Sequence, residues 1–555
     1  MERWIRRWGA LILLNAAFLG IGLSWLFLIP YNNAPDENTH FAYSVEFIRT
    51  QRRLPVWGVD DAERFRFALS SYNQMPALNY VAAAAAAQAG GRLGLEPWQG
   101  ARLASLAWGL VFLNGLFLAV RALAGRTAPA ALVTGALAFI PQVLFTFCYV
   151  NADAHSLAIA ALLAWAGARL IRRPGALTLV LFGLAGGLLF SAKYNYFIYV
   201  PLLAAGFGWL AWRRVVPWRR VWQAAGAAAL GAVLISGFWY ARNLRLYGSP
   251  LPLLLSQARL AAMGVIPDLV PTDRGLSLAS LAWMMNEGFG ATTFASFFGL
   301  FGYLDVAWPP AVYAALRIVI PALFAGLLIE LLRTRDRPAC LAALWTLGAL
   351  LAILALHVWA CLRYDYQPQG RYYFTGLAPL AACLGWLAGR HRRFVKYPAA
   401  LLAVTAGLVV QTQVLFIRTY APPLTFALFW DGPDGEGAAI ETARRVGRNA
   451  LRLECADEAP RRADRLQIRF PKRTLGRYRA FTLTLETESG TRRFDRDSLP
   501  PWTASDMTYD AKLHSFDAAG PDPILAFTLP PDLGPVRRIE IETALERRRL
   551  RDPIL

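Results

Sequence analysis

Apolar runs of roughly 17 to 22 residues, long enough to cross a bilayer as helices, recur along the first 420 positions. Beyond Tyr420 the pattern changes to alternation of apolar and polar residues. The runs lie at 8–29, 102–120, 129–150, 155–171, 176–192, 195–212, 222–240, 311–332, 339–358, 372–389 and 398–417. They predict about eleven transmembrane helices. The Ala-rich stretch 76–90, only about 15 residues, is short for a span and reads as a helix packed at the outer face. Two connecting loops are long, 30–101 and 241–310, and loops of that length usually carry function.

After Tyr420, Leu466/Ile468/Phe470, Phe481/Leu483/Leu485, Phe527/Leu529 and Ile539/Ile541 repeat with period two, the mark of half-buried strands. Glu488-Ser489-Gly490-Thr491 has the composition of a hairpin turn. These features predict an all-β sandwich over 451–555, with 421–450 as a linker holding a short helix near 438–447. The fold class expected is a mainly α polytopic membrane protein, residues 1–420, with a C-terminal β-sandwich domain.

Composition agrees with the pattern. Of 555 residues 56% are hydrophobic and 17% charged, against about 25% charged in ordinary soluble domains. A disordered chain, a fibrous repeat and a soluble enzyme are all disfavoured. Cys148, Cys340, Cys361, Cys383 and Cys455 lie far apart with no CxxC pair, which argues against a disulfide scaffold and a zinc site.

The net charge of +20 at first suggests nucleic acid as a partner. Its distribution points elsewhere. Residues 421–555 hold 22 Lys and Arg against 21 Asp and Glu, which from totals of 57 and 37 leaves 35 basic and 16 acidic residues in the hydrophobic part. There the excess falls in short clusters (Arg3/Arg6/Arg7, Arg121/Arg126, Arg169/Arg172/Arg173, Arg213/Arg214/Arg219/Arg220, Arg333/Arg335/Arg337 and Arg390/Arg392/Arg393/Lys396) separated by two apolar runs each. That is the positive-inside pattern. It predicts a multi-pass membrane protein, N-terminus in the cytoplasm, β domain outside, and no nucleic-acid partner. The first run lacks a small-residue cleavage site and reads as a retained helix.

Candidate chemistry gathers at the predicted outer ends of the spans. Pro35-Asp36-Glu37-Asn38-Thr39-His40-Phe41 follows the first run. A carboxylate there can take a proton from an acceptor hydroxyl, or hold a metal that neutralises a phosphate. Asp36 also suits a helix cap with Glu37 in the first turn, and the two uses can coexist. Asn151-Ala152-Asp153-Ala154-His155 offers a second acidic cap on the same side. Lys193, in Lys193-Tyr194-Asn195-Tyr196, lies where short loops disfavour cations; it can pair with a lipid-linked phosphate or snorkel to headgroups. Arg242-Asn243 and Arg371-Tyr372 close and open spans on the same face, as phosphate ligands or as an interfacial belt. Tyr196 and Tyr372 can pack on a sugar ring. The segment 296–305 reads as packing or as a lipid-facing wall, and His357 and Cys361 as helix packing. The chain has no phosphate loop of P-loop spacing, no His-Glu-x-x-His and no Gly-x-Ser-x-Gly.

The loop at 35–41 resembles the first outer loop of the GT-C superclass of polytopic glycosyltransferases. Tyr72-Asn73-Gln74-Met75-Pro76, NADAH (151–155), KYNY (193–196), WYARNLRLYGSP (239–250), SFFGLFGYLD (296–305) and QGRYYF (369–374) follow in the order found in one bacterial family of predicted membrane proteins of unknown function within that superclass. The resemblance spans about residues 8–417 and not the β region. It implies a GT-C-like fold and a polyprenyl-phosphate-linked sugar donor. It makes Asp36 the catalytic base or metal-side residue with Glu37 beside it, Asp153 an assisting acid, and Lys193, Arg242 and Arg371 the ligands of the lipid phosphate. His40, Tyr196, Asn243 and Tyr372 complete the substrate-binding candidates. Any divalent cation, Mg or Mn, would sit on Asp36, Glu37 and Asp153. Gln74-Met75-Pro76 departs from the usual His-Pro-Pro or Lys-Pro-Pro.

The activity expected is transfer of a sugar from polyprenyl phosphate to a glycan, lipid or protein acceptor of the cell envelope. A transporter or flippase of lipid-linked glycans and a non-catalytic envelope scaffold are the other readings.

Overall fold

A computed structural model describes residues 2–57, 59–60, 72–252, 274–363 and 366–420, and most of the strands between 425 and 547. The chain divides into two compact units at Phe416/Ile417. It is a mainly α-helical polytopic membrane protein with a C-terminal β region.

Among the described residues seven helices are long and apolar enough to cross a membrane: Trp8–Leu28, Pro97–Ala124, Asp153–Arg172, Trp218–Tyr247, Pro310–Thr334, Arg337–Arg363 and Arg392–Tyr420. The other four expected spans are helical but interrupted or short. Pro141 divides the third into Thr127–Ala138 and Pro141–Thr146, because proline offers no N–H to the helix ladder. Ala176–Leu189 has 14 residues, only about 21 Å of α-helix. Tyr199–Trp212 and Leu377–Arg390, of the same length, are each preceded by a 3-10 segment, Tyr194–Ile198 and Gly370–Gly376. Of the eleven expected spans, these four are thus the shorter or interrupted ones. The tightly wound entry segments carry Lys193 and Arg371 at or beside their first turn.

Leu78–Arg92 forms the helix expected from the Ala-rich stretch, with Ala83, Ala84 and Ala87 buried. Asp153–Arg172 and Pro97–Ala124 are the most buried of the long helices, whereas Pro310–Thr334 leaves Ile318 and Leu332 exposed at 72% and 64%. The central helices therefore build the core, and the others present apolar flanks as spans facing lipid do. Ala176–Leu189 crosses Trp218–Gly231 at glycines: a Cβ on Gly187 would lie 2.4 Å from the Gly231 carbonyl carbon. Only glycine permits that approach.

The C-terminal unit holds two antiparallel sheets. One runs Trp502–Ser505, Ile524–Thr528, Arg465–Arg469, Thr425–Asp431, Gly437–Thr442; the other runs Met507–Asp510, Ser515–Ala518, Gly476–Thr487, Val536–Arg547, Ala450–Arg461, Arg444–Arg445, with Gly490–Phe494 paired to Gly476–Thr487. Leu466, Ile468, Leu525 and Phe527 of the first and Leu483, Leu485, Ile539 and Ile541 of the second are buried, following the period-two pattern. The expected hairpin is present, with Thr487 opposite Gly490. The expected linker is corrected: 421–450 contributes strands, and the short helix near 438–447 is instead Gly437–Thr442 and Arg444–Arg445. Ala438 and Ala439 favour helix, but pairing with Thr425–Asp431 prevails, Ile440 standing opposite Ala427.

Candidate functional site

The corner after the first helix is fixed by one arginine. Arg102, inside Pro97–Ala124, donates from Nε and Nη2 to the two carboxylate oxygens of Glu37, each at 2.6 Å. Its Nη1 donates to the carbonyls of Leu26 and Ile29, and Nη2 also to that of Pro30. The last carbonyls of a helix lack intrahelical donors, and Arg102 supplies them. Glu37 further accepts from the backbone N–H groups of Asn32 and Val150. Both side chains are wholly buried. Glu37 is therefore spent on the corner, which corrects its expected place beside Asp36 in the chemistry. Arg102 was not legible, being a lone cation at the edge of an apolar run.

Asp36 precedes Glu37 with φ 60° and ψ 10°, the left-handed region, which Asp tolerates better than most residues. Its side chain makes no cap hydrogen bond. The carboxylate instead accepts from Arg371 Nη2 at 3.2 Å and from the Tyr72 hydroxyl. Burial would raise its pKa, but Arg371 and His40 outweigh burial and hold the carboxyl below its usual range. Burial and the facing Asp36 lift the Tyr72 hydroxyl well above the tyrosine range, so it stays a donor.

His40 stacks on Tyr72, ring centroids 4.0 Å apart, and its Nδ1 is hydrogen-bonded to the Tyr80 hydroxyl at 2.8 Å. Burial pushes its pKa down to about 3. It is a neutral wall of the site.

At the second acidic position Asn151 does the capping, its Oδ1 accepting from the Ala154 N–H at 2.8 Å. Asp153 is thereby free to accept from Lys193 Nζ with both oxygens, at 3.1 and 3.2 Å. Lys193 is held by its own backbone N–H, which donates to Ser156 Oγ. Burial lowers the Lys193 pKa although Asp153 opposes it. Lys193 Nζ lies 5.3 Å from the Tyr372 ring and the Arg371 guanidinium carbon 5.8 Å from it. Arg371 feels both Asp153 and Asp36, and also touches Tyr149. Asp36, Asp153, Lys193, Arg371, His40 and Tyr372 thus share one end of the helical unit.

Glycine sets the place of Arg371. A Cβ on Gly370 would lie 2.2 Å from the backbone nitrogen of Phe297, and the Gly370 N–H donates to Ser296 Oγ. Segment 296–305 is thus packing that seats Gly370–Gly376: Phe298 and Phe301 are buried, as is Trp308 just after it, and Tyr303 donates to Asn32 Oδ1 at 2.6 Å. His357 braces the other side, hydrogen-bonded to the Gln367 carbonyl and the Tyr373 hydroxyl and stacked on Tyr372. A cavity of about 210 Å³ opens beside Tyr372, lined by Ile198, Ile353 and Leu356 with Asn195, His357 and Gln367.

Two candidates lie elsewhere. Arg242 donates to the Pro55 carbonyl at 2.7 Å and covers Trp239; Asn243, wholly buried, donates to the Pro250 carbonyl. Both brace loops, and neither is recorded in contact with Lys193 or Arg371. Tyr196 is buried beside Tyr199, within the field of Asp153.

A divalent cation needs several oxygen ligands not already neutralised. Arg102, Arg371 and Lys193 hold the three carboxylates, and among the described residues no three His, Cys, Asp or Glu side chains converge. These residues do not fit a metal centre.

No protein-family model matches the chain, and no curated protein matches it in sequence. Among solved structures, that of ArnT from Cupriavidus metallidurans bound to undecaprenyl phosphate is similar at a TM-score of 0.42 and 14% identity, over 74% of this chain and 76% of that one. The likeness is too distant to carry a residue or an activity across.

Proposed function

We propose that the chain is a membrane glycosyltransferase that moves a sugar from a polyprenyl-phosphate donor to a cell-envelope acceptor at the outer face of the bacterial cytoplasmic membrane. The observation that carries this reading is the placement of two carboxylate–cation pairs, Asp36 with Arg371 and Asp153 with Lys193, about Tyr372, which in turn lines a mostly apolar cavity. The cations suit a phosphate. The cavity suits the first isoprene units of the lipid, and Tyr372 between them suits a sugar face.

The acceptor hydroxyl attacks the anomeric carbon as the bond from that carbon to the phosphate oxygen breaks. The bonding pair leaves with the phosphate, the hydroxyl proton passes to Asp36, and the anomeric configuration inverts. General-base help supplies about 10²–10⁴-fold. Positioning and neutralisation of the departing phosphate by Arg371 and Lys193 supply the remainder. Transport of a lipid-linked glycan would instead call for ionisable groups inside the spans. The polar pair within the first and second long helices, Asn15 with Asn114, is uncharged and satisfied by mutual and helix-carbonyl hydrogen bonds.

The test is release of polyprenyl phosphate from polyprenyl-phosphate sugars by the purified chain given envelope acceptors. Release by wild type and its loss in Asp36→Asn and Arg371→Ala are expected. Equal release by all three would sink the reading.

A further inference from the structure

Arg371 leaves one donor unused. Nη2 gives one bond to one oxygen of Asp36 at 3.2 Å and the guanidinium also meets the Tyr149 hydroxyl, while Nε is buried with no acceptor among the described residues. The side chain is only 8% exposed. Arg102, wholly enclosed, satisfies Nε, Nη1 and Nη2 with five bonds. A buried N–H without an acceptor is unfavourable, and a ligand can supply the missing acceptor. Nε and one Nη form the edge by which guanidinium grips two oxygens of a carboxylate or phosphate. Asp36 occupies that edge by one oxygen and is itself 35% exposed, so it can leave. The other pair differs: Asp153 gives both oxygens to Lys193 and is 5% exposed.

We propose that Asp36 is a place-holder on Arg371 in the empty site. The donor phosphate takes the guanidinium edge with two oxygens, displaces Asp36, and frees the carboxylate to act as base only once the donor is bound. This inference rests on the function proposed above and adds an order to it, donor before proton transfer. The groups left facing Asp36 are the Tyr72 hydroxyl, neutral His40 and, at longer range, Tyr80, Tyr149, Tyr303 and Lys193, with Asp153 beyond them. Lys193 is held by both oxygens of Asp153 and does not replace Arg371, so the freed carboxylate holds a proton more readily. In the empty site Arg371 overrides burial and keeps it a weak base, which guards against idle reaction with water.

The consequence is a variant that loses transfer yet binds donor phosphate more tightly. Full-length protein in detergent is titrated with undecaprenyl phosphate, binding read by native mass spectrometry. Asp36→Asn is expected to bind on the order of tenfold tighter than wild type, having lost a competitor and a like charge. Arg371→Lys keeps the charge without the fork and binds on the order of tenfold weaker. The gain from Asp36→Asn disappears in the Arg371→Lys background. Asp36→Ala carries the same expectation and is read if the Asn variant does not fold by thermal unfolding. Unchanged or weaker binding by the folded Asp36 variants, with wild type binding normally, overturns the place-holder and leaves the donor reading standing. No binding by wild type or Asp36 variants overturns both.

Discussion

Glu37 and Arg102 form a two-bond ion pair with no exposed atom, one residue after Asp36. Neighbours in sequence therefore have opposite employment. Glu37 closes the corner between the first helix and its loop, and Asp36 is turned out toward Arg371. Breaking a buried pair from one side leaves an uncompensated charge, at about 3–5 kcal/mol. Arg102→Ala is expected to lower thermal stability by that order in detergent, and Glu37→Gln by less. A shift under about 1 kcal/mol for Arg102→Ala would show that the corner does not rest on this pair.

Asp153 and Lys193 should behave as a coupled unit. Lys193→Met leaves Asp153 buried without its cation, whereas the double variant with Asp153→Asn removes both charges. A thermal-unfolding cycle is expected to return a coupling of about 1–3 kcal/mol, with the double variant more stable than Lys193→Met alone. Additive losses would mean the pair is incidental. Both single variants should also raise the KM for the donor more than they lower kcat.

His40 gives a pH signature. Its folded pKa is about 3 against 6.5 for the free side chain. Below pH 6.5 the unfolded chain takes up a proton that the folded chain refuses, so stability falls with pH, by up to about 1.4 kcal/mol per unit, levelling near 3. His40→Gln should flatten part of that decline between pH 6.5 and 4 in denaturant titrations. Identical slopes for the two proteins would contradict the buried, neutral state.

Gly370 is expected to refuse even a methyl group. The clash is with backbone, the nitrogen and Cα of Phe297 at 2.2 and 2.4 Å. Gly370→Ala should therefore cost about 1–3 kcal/mol and weaken donor binding by displacing Arg371. Phe297→Ala should not restore it. Rescue by that second change would place the conflict in the side chain instead.

Much of this was legible in the sequence. Every apolar run is helical over most of its length, because burial in lipid rewards backbone that satisfies its own hydrogen bonds. Asp36, Asp153, Lys193 and Arg371 stand out as charges at helix ends, and the structure gathers them. What escaped depended on distant partners. Arg102 meets Glu37 across 65 positions, and nothing local announces that. Arg242 matches the other arginines in type and setting, but the carbonyl of Pro55 claims it. Interruptions at Pro141 and in Gly370–Gly376 shorten spans that read as uniform. The strand Gly437–Thr442 hides in an Ala-containing stretch because its conformation is set by the strand beside it.

The proposed role of Asp36 as the base in a sugar transfer from polyprenyl phosphate is best tested in the native host, with Asp36→Asn at wild-type membrane levels and a full deletion alongside. Surface and lipid-linked glycans are compared by mass spectrometry. One sugar is expected to be missing from the envelope glycan in both strains, with its polyprenyl-phosphate donor accumulated. An unchanged glycan profile in Asp36→Asn, where the deletion alters it, would remove Asp36 from the chemistry.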